Sequence, residues 1–400
     1  MEKKPMMKFR SAPVLITAIA LVLAGCGQST LGPALLASSS QMTDQASPLL
    51  DSPNATGPLN HMPAPATRPG QWLLFANHEH TKFSVDGSGT VSDMVNILQK
   101  GGVDAMDLTD HNNMQGVLTP DFANSPLIMI KGMEWGAWRQ DGETVVGHAG
   151  LLEMDGTDPL PTNATLDEML AMASARHAYI IANHPFCNGN AWASAPVLQP
   201  QVSAMEVWNG YWTLTEPITH NDKALAWYDS LLQGGRHLTA IGGADYHGPW
   251  YQHLPSVPGS EPMRPVNLVF ATSHDAKGVM DGVRGGHITV EATNTAARVV
   301  LEADPAHDGS WATIEGDDIP VASNGTIPMR AHVIGGKGLT VTFFGKSGPI
   351  GAAKVTSDDQ EVPVTVPAVP GIANYVRVEL QQHPGHSWSM TALTNPIYLN

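Results

Sequence analysis

Cysteine is almost absent. The 400-residue chain has 2, Cys26 and Cys187, so no disulfide framework holds the fold, and packing or metal must do so. Cations are scarce too: 21 Lys and Arg stand against 37 Asp and Glu, a formal net charge of −16. An acidic chain disfavours a nucleic-acid backbone or an anionic membrane surface as partner, because both call for basic surface. It leaves open a small anionic substrate held through metal ions. The sequence has no GxGxxG, no Walker loop and no convincing internal repeat, which removes the usual nucleotide-binding signatures. A hydrophobic run long enough to span a bilayer is also missing. Ser11 to Leu23 is apolar but too short for a span.

That short run has the flanks of an export signal. Lys3, Lys4, Lys8 and Arg10 precede it, and Leu23-Ala24-Gly25-Cys26 follows it. The ending resembles the lipobox of bacterial lipoproteins, which implies acylation of Cys26 and an exported chain. It would be lipid-anchored on the periplasmic or extracellular face, at the outer membrane in a Gram-negative host. The membrane is then met through that lipid alone, and Cys187 reads as a partly buried small side chain. Residues 27–70, rich in Ser, Ala, Pro and Thr, read as a flexible tether.

From Gln71 to about Val290, apolar strand-like runs alternate with helical ones. The strand candidates are Trp72–Ala76, Ala105–Leu108, Leu127–Gly132, Thr144–Leu152, Tyr179–Ala182, Ala204–Val207, Leu238–Gly242 and Val266–Ala271. Thr90–Gln99, Thr165–Arg176 and His220–Gln233 carry apolar residues at helical spacing. This alternation predicts a parallel α/β architecture, barrel or open sheet. After about Thr295 helical periodicity stops, and short β-like runs such as Met329–Val333, Leu339–Phe344 and Tyr375–Leu380 follow. They predict a small β-sandwich. The expected units are therefore residues 71–294 and 295–400.

The chemistry-bearing residues sit at the strand ends. The first run is followed by His78-Glu79-His80 and Asp86, the second by Thr109-Asp110-His111-Asn112 and the third by Glu134. The fourth contains Gly147-His148. The remaining runs lead to His184-Pro185, Glu206 to Asn209, and Asp245-Tyr246-His247. Alternation along a strand puts His78 and His80 on one side, about 7 Å apart. The C-terminal rim is where α/β barrels and sheets build their sites. Imidazole and carboxylate donors suit zinc, manganese or iron as divalent ions. Ions about 3.5–4 Å apart can clamp both the attacking and leaving oxygens, so no serine or cysteine nucleophile is needed.

His-x-His-Thr…Asp-Gly, Thr-Asp-His-Asn, a lone Gly-x-Glu, His-Pro and a final Asp-x-His, in this order, resemble the PHP (polymerase and histidinol phosphatase) superfamily. Met205-Glu206-Val207-Trp208-Asn209 and Gly242-Gly243-Ala244-Asp245-Tyr246-His247 resemble its carbaryl-hydrolase-like (CehA/McbA) branch. The resemblance implies a distorted seven-stranded (β/α) barrel with two or three divalent metal ions. It assigns His78, His80, Glu134 and Asp245 to a first ion and Glu134, His148 and His184 to a second. Asp86, His111 and His247 fall to a third. Asp110 would orient a ligand imidazole, and His111 or His247 would protonate the leaving group if the third site is empty. The pattern departs at Ser84-Val85-Asp86-Gly87, one residue longer than the usual Ser-Asp-Gly. The implied activity is hydrolysis of small phosphate mono- or diesters. A carbamate or carboxylic ester with the same centre is the runner-up, and a non-catalytic metal-binding lipoprotein is the third reading. Arg139, Arg264, Glu206 and Asn209 are candidates to contact substrate. Trp135, Trp138, Trp192, Trp208, Trp212 and Trp250 either wall a pocket or fill the core.

Overall fold

The computed structural model describes residues 62–65, 67–136, 147–187, 192, 198–210, 212, 219–249, 261–386 and 389–400. The signal-like segment, Cys26, the tether to residue 61, Arg139, Trp138 and Trp250 lie outside the described residues. No helix among the described residues is long and apolar enough to cross a membrane.

The first unit is built from β1 (Gln71–Ala76), α1 (Val91–Lys100), β2 (Ala105–Leu108), α2 (Pro120–Ala123), β3 (Ile128–Trp135), β4 (Ala149–Leu152) and α3 (Leu166–Ala175). It continues with β5 (Tyr179–Ala182), β6 (Ala204–Asn209), α4 (Asn221–Gln233), β7 (Thr239–Gly243), β8 (Val266–Ala271), α5 (Ala276–Gly285) and β9 (Ile288–Glu291). The strands are buried nearly from end to end, as strands covered on both faces must be. α1 shows the local logic. Thr90 caps it in a reciprocal box with Asp93, and Val91, Met94, Val95 and Leu98 form its buried face. It then stops before Gly102, whose φ of +75° suits glycine.

The strands follow the order β9-β8-β1-β2-β3-β4-β5-β6-β7. The segments that follow β1 and β7 meet: Ala244 N–H donates to Asn77 O (3.0 Å) and His80 N–H to Tyr246 O (2.9 Å). The C-terminal rims of β1 and β7 are thereby stitched together, and the sheet curls around the residues beyond its strand ends.

The expectation of a parallel sheet needs correction. β1–β2, β2–β3, β5–β6 and β6–β7 are parallel, but β4 is antiparallel to β3 and β5. β8 is antiparallel to β1 and β9. The fourth strand begins at Ala149, so His148 precedes it instead of lying within it. Antiparallel pairing carries the start of β4 to the rim where the other strands finish, and His148 reaches the site by that reversal.

The helix α5 was not expected. Its glycines, Gly278, Gly282 and Gly285, weaken any helical pattern. They serve contact: a Cβ at Gly282 would lie 2.4 Å from Phe270 O, so the helix rests directly on the β8 backbone.

The second unit comprises β10 (Arg298–Ala303), β11 (Thr313–Ile314), β12 (Asp318–Ile319), β13 (Gly325–Ile334), β14 (Thr340–Gly345), β15 (Gly348–Lys354), β16 (Asp359–Ala368), β17 (Asn374–Gln381), β18 (Met390–Thr394) and β19 (Ile397–Leu399). One sheet runs β11-β10-β13-β16. The other strands join the first unit, because β18 pairs with β9. Val299, Leu301, Met329 and Val333 on one side pack with Phe343, Val376, Val378 and Leu380 on the other. Arg377 locks the junction. It is buried, makes a bidentate pair with Asp229 of α4 (2.8 and 2.7 Å) and also binds Glu379 (2.7 Å).

Candidate metal centre

β1 ends at Ala76, two residues before the first histidine. His78 has a φ of 71°, in the left-handed region, and its N–H donates to the Asp107 carboxylate (2.8 Å) instead of a strand neighbour. Simple strand alternation therefore does not set the pair. The kink brings the rings of His78 and His80 to 5.0 Å between centroids.

Glu134, fully buried on β3, is the hub. Its Oε1 lies 3.1 Å from His78 Nε2, 3.1 Å from His148 Nδ1 and 3.0 Å from His184 Nε2. Asn183 Nδ2 donates to the same oxygen (3.0 Å). Oε2 lies 3.0 Å from His111 Nδ1 and 3.4 Å from His80 Nε2. Asp245, just beyond β7, brings Oδ1 to 3.3 Å from His78 Nε2 and 3.4 Å from His80 Nε2. Asp86 Oδ2 lies 3.6 Å from His111 Nε2 and 3.5 Å from His247 Nε2.

Three sets of donors converge closely enough to share an ion: His78, His80, Glu134 and Asp245; His111, Glu134 and His148; and His80, His111 and His247. The first set coincides with the first grouping implied by resemblance. The others differ from the implied groupings, since His111 lies between them and His184 approaches through Glu134. Every one of the nine candidate ligands is nevertheless within 3.6 Å of another.

The longer loop at Asp86 is accommodated simply. Val85, the added residue, points to solvent at 69 % exposure, while Asp86 turns inward. Gly87 closes the turn so tightly that a Cβ there would sit 2.0 Å from Thr81 O.

The supporting contacts fix which nitrogen faces inward. His78 Nδ1–H donates to Glu206 Oε1 (2.8 Å). His247 Nδ1–H donates to Asp245 O (2.8 Å). The Nε2 lone pairs of both rings are then left toward the cluster. His78 Nε2, His80 Nε2 and Glu134 Oε2 are buried atoms without a hydrogen-bond partner, although each lies within 3.4 Å of an oppositely charged type of group. Converging buried donors of this kind fit a divalent metal centre.

Charge supports that fit. Burial opposes ionisation of Glu134 and Asp245, yet His78 and the neighbouring imidazoles hold both carboxyls well below the usual range. Burial, helped by His247 and His111, pulls His80 down to about 3, leaving it neutral. Burial also acts against charge on His111, but Glu134 and Asp86 outweigh it and push that ring up to about 10. Anionic carboxylates thus gather positive charge, and protons and divalent cations compete for the same positions.

Other candidates are placed differently. Glu206 is fully buried behind the ligands. It accepts from His78, from His184 N–H (2.7 Å) and from Asn209 Nδ2 (3.0 Å). Glu206 and Asn209 therefore lie behind the candidate ligands, with Glu206 bonded to His78 and His184. Arg264 pairs with Glu261 (2.8 Å). Asp110 does not touch an imidazole; it accepts from Thr81 and Ser84. Trp135, Trp192, Trp208 and Trp212 are buried in the core. Trp192 also serves the site, because its Nε1–H donates to His148 O (2.6 Å). Cys187 is buried. Sequence reasoning missed Asn183, Asp107 and Ser84 as supports. Asp107, a charged residue inside an apolar strand, was the one visible signal.

Residues 77–134 match the PHP domain family. No curated protein matches the chain. Among solved structures, it is similar to a two-domain protein from Bacteroides vulgatus containing a predicted PHP-like metal-dependent phosphoesterase. That likeness has 16 % identity and a TM-score of 0.47, over 85 % of this chain and 99 % of the other. A candidate metal-dependent phosphoesterase from Bifidobacterium adolescentis is 14 % identical with a TM-score of 0.36, over 52 % of this chain and 94 % of the other. An amidohydrolase from Chromobacterium violaceum with bound sulfate is 13 % identical with a TM-score of 0.32, over 48 % and 92 %.

Proposed function

We propose that this chain is a metal-dependent hydrolase of the PHP superfamily, of the carbaryl-hydrolase-like branch, cleaving small phosphate mono- or diesters. One observation carries the reading: Glu134 is buried among five imidazoles, with Asp245 and Asp86 completing the ring of donors. The β1–β7 sheet, stitched at its ends, supports a distorted seven-stranded barrel, and the two packed sheets of residues 295–400 support a β-sandwich.

His78, His80, Glu134 and Asp245, which converge as the resemblance implies, would hold a first divalent ion, and Asp86, His111, His148, His184 and His247 would share any further ions with Glu134. When bound, such ions polarise a phosphoryl oxygen and lower the pKa of water toward neutrality. The chain's own part is positioning. Glu206 and Asp245 O orient His78 and His247, and the buried β-strands keep bulk water from the donor atoms. With no third ion bound, His111, its side chain 10 % exposed, or His247 would hold the proton that the leaving oxygen takes.

The carbamate or carboxylic ester reading keeps the same centre; the tryptophans Trp135, Trp192, Trp208 and Trp212 are buried in the core. The test is turnover of an aryl phosphate, a bis-aryl phosphate, an aryl ester and an aryl carbamate by the metal-loaded chain. Phosphoester turnover that Glu134→Gln abolishes supports the proposal. Turnover of only the ester or carbamate overturns the substrate class.

We also propose export, from the N-terminal segment. The resemblance of residues 23–26 to a lipobox supports acylation of Cys26. Intact mass of the exported chain tests it: a mass without the acyl groups overturns the anchor.

A further inference from the structure

Ser84 Oγ makes three short contacts that account for its whole bonding capacity. It lies 2.8 Å from His80 Nδ1, accepts from His111 N–H at 2.8 Å, and lies 3.1 Å from Asp110 Oδ1. A hydroxyl has one proton and two lone pairs. Asp110 already accepts from Thr81 N–H (2.7 Å) and Thr81 Oγ1–H (2.9 Å), so it acts as an acceptor throughout. The single Ser84 proton must therefore go to Asp110. Its remaining lone pair then requires a donor, and His80 Nδ1 must carry hydrogen. The proton order is Asp110 carboxylate, Ser84 O–H, His80 Nδ1–H.

We propose that Ser84 is a positioning residue that relays the Asp110 charge to His80, fixing the tautomer whose bare Nε2 faces the cluster. The relay also holds the His111 backbone, so one hydroxyl aligns two ligands. Ser84, at the root of the turn carrying Asp86, ties that turn to both. The donor role toward metal rests on the reading given under Proposed function; the tautomer itself does not.

Asp110→Ala frees the Ser84 proton, which would turn to His80 Nδ1 and leave hydrogen at Nε2. Asp110→Asn is the control: Thr81 N–H needs an acceptor at the Oδ1 place, so the amide oxygen sits there and still accepts from Ser84. The measurement is long-range 1H–15N NMR of histidine-labelled, metal-free chain, with His80 assigned through His80→Gln. The wild type and Asp110→Asn are expected to show His80 protonated at Nδ1, and Asp110→Ala at Nε2. Chelator competition with Zn2+ and Mn2+ is run alongside. Asp110→Ala and Ser84→Ala are expected to weaken metal binding about 10–100-fold, while Asp110→Asn and Ser84→Thr retain most of it. Thermal unfolding of the metal-free variants checks that each folds. An Nε2–H tautomer in the wild type, or an unchanged tautomer in folded Asp110→Ala, would overturn the relay. So would unchanged metal affinity in folded Ser84→Ala. A wild type with the expected tautomer but no metal affinity would overturn the hydrolase reading and leave the relay standing.

Discussion

Glu206 accepts hydrogen bonds from a ring nitrogen of His78, the backbone of His184 and the amide of Asn209, all buried. Removing it strands donors in a dry interior, at about 1–3 kcal/mol each. Glu206→Ala should therefore lose more than about 3 kcal/mol in urea unfolding, and it should weaken metal binding through His78. A loss near zero would show that the contacts are not holding the ligands. The residue scale is also where the sequence was most and least informative. Histidines and carboxylates announce themselves by type and place, which is why the nine donors were legible. Their supports were not. Asn209, Glu206 and the tryptophans resemble substrate contacts in one dimension, and only burial and hydrogen-bond direction show them behind the ligands or in the core. Ser84 was visible in the sequence only as part of the Ser84-Val85-Asp86-Gly87 motif; the role of its hydroxyl depends on His80, His111 and Asp110 meeting in space.

At the scale of elements, α5 argues that contact can outrank propensity. Alanine favours a helix over glycine by about 1 kcal/mol. At Gly282 its Cβ would meet Phe270 O at 2.4 Å, and a backbone carbonyl in a paired strand cannot step aside. Gly282→Ala should lower stability by about 1–3 kcal/mol, read as a fall in melting temperature; a rise would mean that the helix is free to lift. The same competition explains which elements could be foreseen. α1, α3 and α4 carry apolar faces at helical spacing and were legible to within a residue or two. α5 was hidden by its glycines and β15 by Gly348, Pro349 and Gly351. Strand direction was hidden as well. An apolar run does not say which way its neighbours point, so β4 was read as parallel. Only the reversal explains how His148, at the start of a strand, joins ligands at the ends of others.

Across the whole molecule, the two units share one sheet through β9 and β18, and buried acids lie near this seam. Glu315 accepts from Leu301 N–H (3.0 Å) and Thr289 Oγ1–H (3.0 Å). Burial raises it from 4.5 to about 8, and burial raises Glu291 from 4.5 to about 7. Each holds a proton in the folded chain that the unfolded chain has released above pH 4.5. Their contribution is therefore fully present below that pH and is lost as pH rises to about 8. Glu315→Gln stays neutral, so its melting temperature should gain on the wild type between pH 5 and 8; a constant difference would contradict the buried, protonated acid. Arg377 ties α4 to β17, and one cooperative unfolding transition is expected by calorimetry. Arg377→Ala, which leaves Asp229 and Glu379 without their partner, should lower it by about 3–5 kcal/mol. The central claim is tested most directly by the metal content of the purified chain, measured by inductively coupled plasma mass spectrometry beside Glu134→Gln. The account predicts two or three equivalents of divalent transition metal in the wild type and a marked loss in the variant. A wild type that holds no metal, even after incubation with zinc, manganese or iron, would contradict it.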